Sequence, residues 1–119
     1  MKSVFIVDDS PLIIERLINM LEGLLPPDRI GHAGCFTDAL AQIGRNPPDI
    51  LLLDVHLPDK SGVELLRTVR KHYPQITVIM ISNQADESYR SACASLGASC
   101  FLDKSAQFEQ IPALIASFM

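Results

Sequence analysis

The sequence predicts an α/β fold: a doubly wound, five-stranded parallel sheet in strand order 2-1-3-4-5, with helices on both faces in a three-layer αβα arrangement. Three observations lead to it. First, Ser3-Val4-Phe5-Ile6-Val7, Ile50-Leu51-Leu52-Leu53 and Thr77-Val78-Ile79-Met80-Ile81 are almost continuously apolar, too short for buried helices and without the alternation of a strand wetted on one face. Second, segments with helical spacing separate these runs, in strand–helix units of roughly twenty to twenty-five residues, as βαβ crossovers require. Third, the runs end in polar groups: Asp8-Asp9, Asp54 and Ser82.

In order along the chain, the first strand hands over to a helix at Ser10-Pro11, an N-cap followed by proline at the first helical position. Ile14, Leu17, Ile18 and Leu21 form its apolar stripe, and Gly23 with Pro26-Pro27 ends it. Ile30 to Cys35 is a weak, glycine-interrupted second strand. Thr37-Asp38 is the expected cap of a short helix through Ile43, terminated by Gly44. After the third strand, Ser61-Gly62-Val63-Glu64 matches a capping box, and the helix it opens runs to about Tyr73 before Pro74. The fourth strand is rich in β-branched residues, and polar Asn83 to Glu87 lead into a helix closing at Gly97. Ser99-Cys100-Phe101-Leu102 is a fifth strand before Asp103-Lys104. Phe108, Ile111, Leu114, Ile115 and Phe118 give the last helix its stripe, with Pro112 in the first turn.

Composition narrows the function classes. A chain of 119 residues, 48% hydrophobic and 20% charged, is expected to form one globular domain over residues 1–119, leaving no room for an output domain. Apolar runs of five or six residues cannot span a bilayer, and no signal-peptide core follows Met1, so the expected location is cytoplasmic, without a membrane partner. A net charge of −4 argues against direct nucleic-acid binding, which draws on Lys and Arg neutralising phosphates. Cys35, Cys93 and Cys100 lack metal-ligand spacing and are expected to be reduced and mostly buried.

The chemistry lies at the carboxyl ends of the strands: Asp8-Asp9 after the first, Asp54 after the third, Ser82 after the fourth, Lys104 after the fifth. In the order 2-1-3-4-5, strands one and three flank the point where the winding reverses, so three carboxylates share one crevice. An oxygen-only cluster of this kind suits Mg²⁺, which takes one or two carboxylates with waters and a phosphoryl oxygen. Lys104 and Ser82 add a charge and a hydroxyl that can bind a phosphoryl group. Taken singly, each residue has a plainer use: acidic residues favour a helix N-terminus, serine makes turns, and lysine solvates an edge.

Together these positions resemble the receiver domain of response regulators in two-component signalling, a flavodoxin-like fold, over the whole chain. Asp8-Asp9 look like the acidic pair, and Asp54 like the phosphoacceptor of a D-x-x-L-P-x-x-x-G pattern closed by Pro58 and Gly62. Ser82 looks like the family hydroxyl, Lys104 like its lysine and Phe101 like its switching aromatic. The resemblance implies that Asp54 takes a phosphoryl group from a sensor histidine kinase or histidine phosphotransfer protein. Mg²⁺ would be held by Asp9, Asp54 and the His56 backbone carbonyl, with Asp8 acting through water. Ser82 and Lys104 would bind the phosphoryl group, Phe101 would turn inward behind Ser82, and the surface of the fourth helix, fifth strand and fifth helix would meet a downstream protein or a second copy. No organic cofactor is implied, nor any enzymatic turnover beyond the domain's own phosphorylation and dephosphorylation. His56 and Gln84, two residues after Asp54 and Ser82, are candidates for setting the phosphoryl lifetime. Ser82 stands where threonine is commoner, and Ser105 where many relatives carry a cis-proline, so a trans Lys104–Ser105 bond is expected.

Other readings stay open at this point. The chain could be the receiver half of a longer DNA-binding regulator. Haloacid-dehalogenase-like phosphatases also use a strand-end Asp, Mg²⁺, Ser or Thr and Lys, but their nucleophile follows the first strand in a D-x-D motif that is absent here. A phosphorylation-independent pseudo-receiver is disfavoured by Asp8, Asp9, Asp54, Ser82 and Lys104 all being intact. A flavodoxin-like nucleotide binder would need neutral groups where Asp8-Asp9 stand.

Overall fold

The computed structural model describes residues 2–83 and 87–119. Parallel strands β1 (Val4–Val7), β2 (Ile30–Ala33), β3 (Ile50–Asp54), β4 (Thr77–Ser82) and β5 (Cys100–Asp103) form one sheet in the order β2-β1-β3-β4-β5, as expected. Val7 pairs with Ala33 on one side and Leu53 on the other, Asp54 pairs with Ile81, and Ser82 with Asp103. All the strands therefore run out at one edge, where the polar residues stand.

The unbroken apolar runs are explained by two cores, one on each side of the sheet. Val4, Ile6, Ile50, Leu52, Ile79 and Ile81 pack with Leu17 and Leu21 of α1 (Pro11–Leu21) and Ile111 and Ile115 of the C-terminal helix. Phe5, Val7, Leu51, Leu53, Val78 and Met80 pack under α2 (Phe36–Arg45), α3 (Gly62–His72) and α4 (Glu87–Ser95). With both faces dry, alternate strand residues are equally apolar, which is what the sequence shows.

Caps differ from expectation in instructive ways. Ser10 caps α1, its hydroxyl accepting from the Ile13 N–H at 3.3 Å. Ser61 caps α3 one position earlier than a capping box requires: its hydroxyl accepts from the Val63 N–H at 3.1 Å, while the Glu64 carboxylate lies 3.6 Å from Arg67. Thr37-Asp38 does not cap α2. The helix begins at Phe36, and its free N–H groups are satisfied by Asp59 from a distant loop. Gly44 does not end α2 either; its φ is negative, and the helix continues to Arg45 ahead of Pro47-Pro48. Gly97, with φ of 96°, does turn the chain after α4, in the left-handed region glycine tolerates.

The last helix comes in pieces: α5 (Lys104–Gln107), a 3₁₀ turn at Phe108–Gln110, and α6 (Ile111–Ser117) with Pro112 in its first turn. Pro112 cannot sit within a helix running on from Lys104, because it lacks an N–H and its ring would strike the Phe108 carbonyl. Asp103 starts α5, its carboxylate accepting from the Ser105 N–H at 2.8 Å and the Ser105 hydroxyl at 2.6 Å. The Lys104–Ser105 bond is trans. Of the free thiols, only Cys93 is buried; Cys35 and Cys100 are half-buried. Among the described residues, no helix is long and apolar enough to cross a membrane.

Candidate functional site

Four polar side chains are buried where the strands end: Asp8 (0% exposed), Asp54 (3%), Ser82 (0%) and Lys104 (8%). Burying charges this completely is costly unless they face one another. They do. Lys104 Nζ lies 3.0 Å from Asp54 Oδ2, donating a hydrogen bond, and 2.6 Å from Asp8 Oδ2. The Lys104 residue that opens α5 thus reaches back across the sheet edge to strands β1 and β3.

Each carboxylate is also oriented by backbone. Asp8 Oδ1 accepts from the Ser10 N–H at 2.9 Å, and Asp54 Oδ1 from the His56 N–H at 3.1 Å. Burial nevertheless holds the Asp54 carboxyl above the ordinary aspartate range; the His56 N–H and Lys104 pull it down, and the Asp8 charge pushes it up again. Burial pulls Lys104 down, yet its contacts with Asp8 and Asp54 outweigh this and raise it, so the ammonium stays charged.

Exposed Asp9 completes an oxygen-only group: one carboxylate oxygen from each of Asp8, Asp9 and Asp54 lies within 4.8 Å of the others. Three carboxylates against one ammonium leave two negative charges in excess, the charge a divalent cation carries. Asp8 Oδ2 is buried against the Lys104 ammonium, 2.6 Å away. Donor chemistry and surplus charge both fit a hard cation such as Mg²⁺.

The remaining sequence candidates are near but differently engaged. Ser82 is buried one residue beyond Ile81, the register partner of Asp54. His56 is exposed, its ring edge-on to Tyr89 of α4 with centroids 5.3 Å apart. Phe101 is half-buried against the α2–α4 core. Gln84 lies outside the described residues.

Asp59 was not singled out in the sequence. Asp59, in the loop after β3, accepts from the Phe36 N–H (2.8 Å), the Thr37 N–H (3.0 Å) and the Thr37 hydroxyl (2.9 Å), which holds its carboxyl well below the usual range. With Lys60 Nζ lying 5.0 Å over the Phe36 ring, it fastens the loop carrying His56 to the start of α2. Its partners are more than twenty residues away, so no local spacing betrays it. Gly62 was read as part of a motif, and the structure supplies the reason. A β-carbon there would overlap the Asp54 carbonyl oxygen and lie 2.9 Å from the Asp54 carbonyl carbon, so only glycine lets α3 start against the site.

Comparison with known proteins agrees with this geometry. Residues 4–116 match the family profile described as "Response regulator receiver domain". The DNA-binding transcriptional activator DevR/DosR of Mycobacterium tuberculosis is 34% identical over 105 residues, covering 87% of this chain and 48% of that protein. The transcriptional regulatory protein MalR of Bacillus subtilis is 30% identical over 121 residues, covering 99% of this chain and 50% of that protein. In three dimensions, the response regulator DrrB of Thermotoga maritima, an OmpR/PhoB homolog, superposes with a TM-score of 0.88 at 25% identity, over 99% of this chain and 52% of that one. The chain thus spans about half the length of each of these three proteins.

Proposed function

The chain belongs to the response regulator receiver domain family, and from that premise we propose that Asp54 is its phosphoacceptor, charged by a sensor histidine kinase or a histidine phosphotransfer protein. The observation that carries this reading is the buried Asp8–Lys104–Asp54 contact at the strand ends, with Asp9 beside it. It provides a nucleophile, a fixed cation and a place for a second cation in one crevice.

In the proposed reaction an Asp54 carboxylate oxygen forms a bond to phosphorus as the phosphorus–nitrogen bond of the phosphohistidine breaks, and the imidazole leaves. Asp9, Asp54 and the His56 backbone carbonyl would hold Mg²⁺, with Asp8 contributing through water; bound there, the ion neutralises charge on the phosphoryl oxygens. Lys104, already against Asp54 Oδ2, has only to follow the phosphoryl group to pair with it, and Ser82 supplies a hydroxyl from the neighbouring strand. This division of labour, positioning plus neutralisation, is what phosphoryl transfer chiefly needs. Hydrolysis returns the Asp54 carboxylate and inorganic phosphate, with His56 and Gln84 shaping the approach of water. The domain acts on itself and turns over no separate substrate. Phe101 is the switching aromatic, and the α4, β5 and α5–α6 surface meets the downstream protein or a second copy.

An apolar groove of about 430 Å³ between α1 and β2 is lined by Pro11, Ile14, Ile18 and His32, a surface the phosphodonor protein would cover. A cytoplasmic setting accords with such a donor. The net charge of −4 argues against direct contact between these residues and DNA. One observation favours a second reading of the whole protein: DevR/DosR and EvgA, both described as DNA-binding transcriptional activators, are about twice as long as the matched region. The receiver would then control a DNA-binding output elsewhere in one polypeptide.

Intact-mass measurement after incubation with acetyl phosphate tests the core of the proposal. A single phosphoryl gain is expected with Mg²⁺, none with excess EDTA, and none for Asp54→Asn. Multiple turnover of the donor by an unmodified protein would favour a phosphatase instead.

A further inference from the structure

The fourth helix is held more sparsely than its neighbour: α4 buries Cys93 alone, whereas α3 buries Gly62, Leu65, Leu66 and Val69. An arginine makes up part of the deficit. Arg90 Nη1 donates to the Phe101 carbonyl oxygen at 3.0 Å, and the guanidinium carbon of the same side chain lies 5.0 Å from the centre of the Phe101 ring. Its charge also helps hold down the Asp103 carboxyl, after the larger effect of the Ser105 hydrogen bonds. One side chain of α4 therefore grips both the backbone and the ring of a residue three before Lys104.

Phe101 sits opposite Met80 in the sheet, two positions before the Ser82–Asp103 pair. It packs against the core on one side and is half-exposed on the other, where Arg90 covers it. The ring cannot change its packing, nor β5 its relation to α4, without disturbing this grip. Arginine suits the task because its planar fork can bond a carbonyl while its face meets a ring; a lysine can do one or the other.

We propose that Arg90 is a latch on Phe101: it stabilises the resting packing of α4 against β5 and so sets how readily the domain passes to the arrangement that phosphorylation favours. The inference rests on the reading of Phe101 as the switching aromatic, and it makes Arg90 a positioning residue, without contact to the reacting atoms. Releasing the latch enlarges the minor population from which phosphorylation proceeds, so a variant lacking it reacts faster. A side chain that merely supported the fold would, when removed, leave the rate unchanged or lower it.

The test uses protein carrying 4-fluorophenylalanine at all five phenylalanines, with the Phe101 fluorine resonance identified by its loss in Phe101→Leu. In the resting protein, Arg90→Gln is expected to move that resonance toward the position wild type takes with Mg²⁺ and beryllofluoride, and Arg90→Lys to move it less. The initial rate of Mg²⁺-dependent phosphorylation by acetyl phosphate should rise roughly two- to fivefold in Arg90→Gln, the range of a cation–π contact at a half-exposed ring. A single cooperative melting transition, lowered by no more than the few degrees such a contact is worth, would show that the fold is intact. A Phe101 resonance left at its wild-type position, or a moved resonance with an unchanged or slower rate, would overturn the latch. A wild type that gains no phosphoryl group would defeat the phosphoacceptor reading instead; a moved resonance then still upholds the grip on Phe101, and an unmoved one removes it.

Discussion

Lys104 pairs with both buried carboxylates, Asp8 and Asp54. Replacing it by methionine leaves Asp8 and Asp54 facing each other in the protein interior without their ammonium. Lys104→Met is therefore expected to lose about 3 to 5 kcal/mol of stability in urea unfolding without divalent metal, the usual cost of removing one partner of a buried pair. Adding Asp8→Asn should recover part of the loss, since only one carboxylate then remains buried. Gly62 poses a different constraint, one of space. Because a β-carbon there would strike the Asp54 carbonyl, Gly62→Ala is expected to cost more than the about 1 to 3 kcal/mol of ordinary overpacking and to slow Asp54 phosphorylation through displacement of its strand end. Asp8, Asp9, Asp54 and Ser82 were legible as strand-end candidates because each follows an unbroken apolar run, and Lys104 because it follows a short fifth strand. Arg90 was not, because an arginine in the middle of a polar helix looks like any solvated charge until β5 is laid beside it.

At the scale of elements, β1, β3 and β4 were legible from their lack of alternation, and the glycine-interrupted β2 and the helix ends were less so. Thr37-Asp38 has the composition of a cap, but the partner that satisfies α2 comes from the loop after β3, a tertiary contact that local pattern cannot encode. Pro112 marked a first turn correctly; the preceding four-residue α5 went unseen because Asp103-Lys104 read as strand end rather than as a cap. Asp59 gives this level its test. Its folded carboxyl ionises below the unfolded value of about 3.9, so its contribution is fully present above that pH and is lost as the pH falls through the lower folded value. Asp59→Ala should melt below wild type at neutral pH, and the gap should close as the solution is acidified well past the unfolded value. A gap that persists unchanged in strong acid would mean that the carboxylate is not what fastens the loop to α2.

For the molecule as a whole, the sheet order brings the ends of β1 and β3 together and thereby makes one site from residues more than forty positions apart. That arrangement leaves the cluster with surplus negative charge, so on the proposed function a divalent cation bound there should stabilise the fold. Mg²⁺ at about a hundredfold above its Kd should add about 2.7 kcal/mol to unfolding stability. Asp9→Asn, which lowers the surplus, should raise the melting temperature in EDTA and abolish most of the rise on adding Mg²⁺. Equal stabilisation of wild type and Asp9→Asn by Mg²⁺ would place the ion elsewhere. On the proposed function Asp54, rather than Asp8 or Asp9, becomes the acyl phosphate. The most direct measurement is borohydride trapping after reaction with acetyl phosphate and Mg²⁺, followed by peptide mass mapping. Homoserine at position 54, with unmodified aspartate at positions 8 and 9, is the expected result. Homoserine at 8 or 9, or none anywhere in a protein shown to have gained a phosphoryl group, would contradict it.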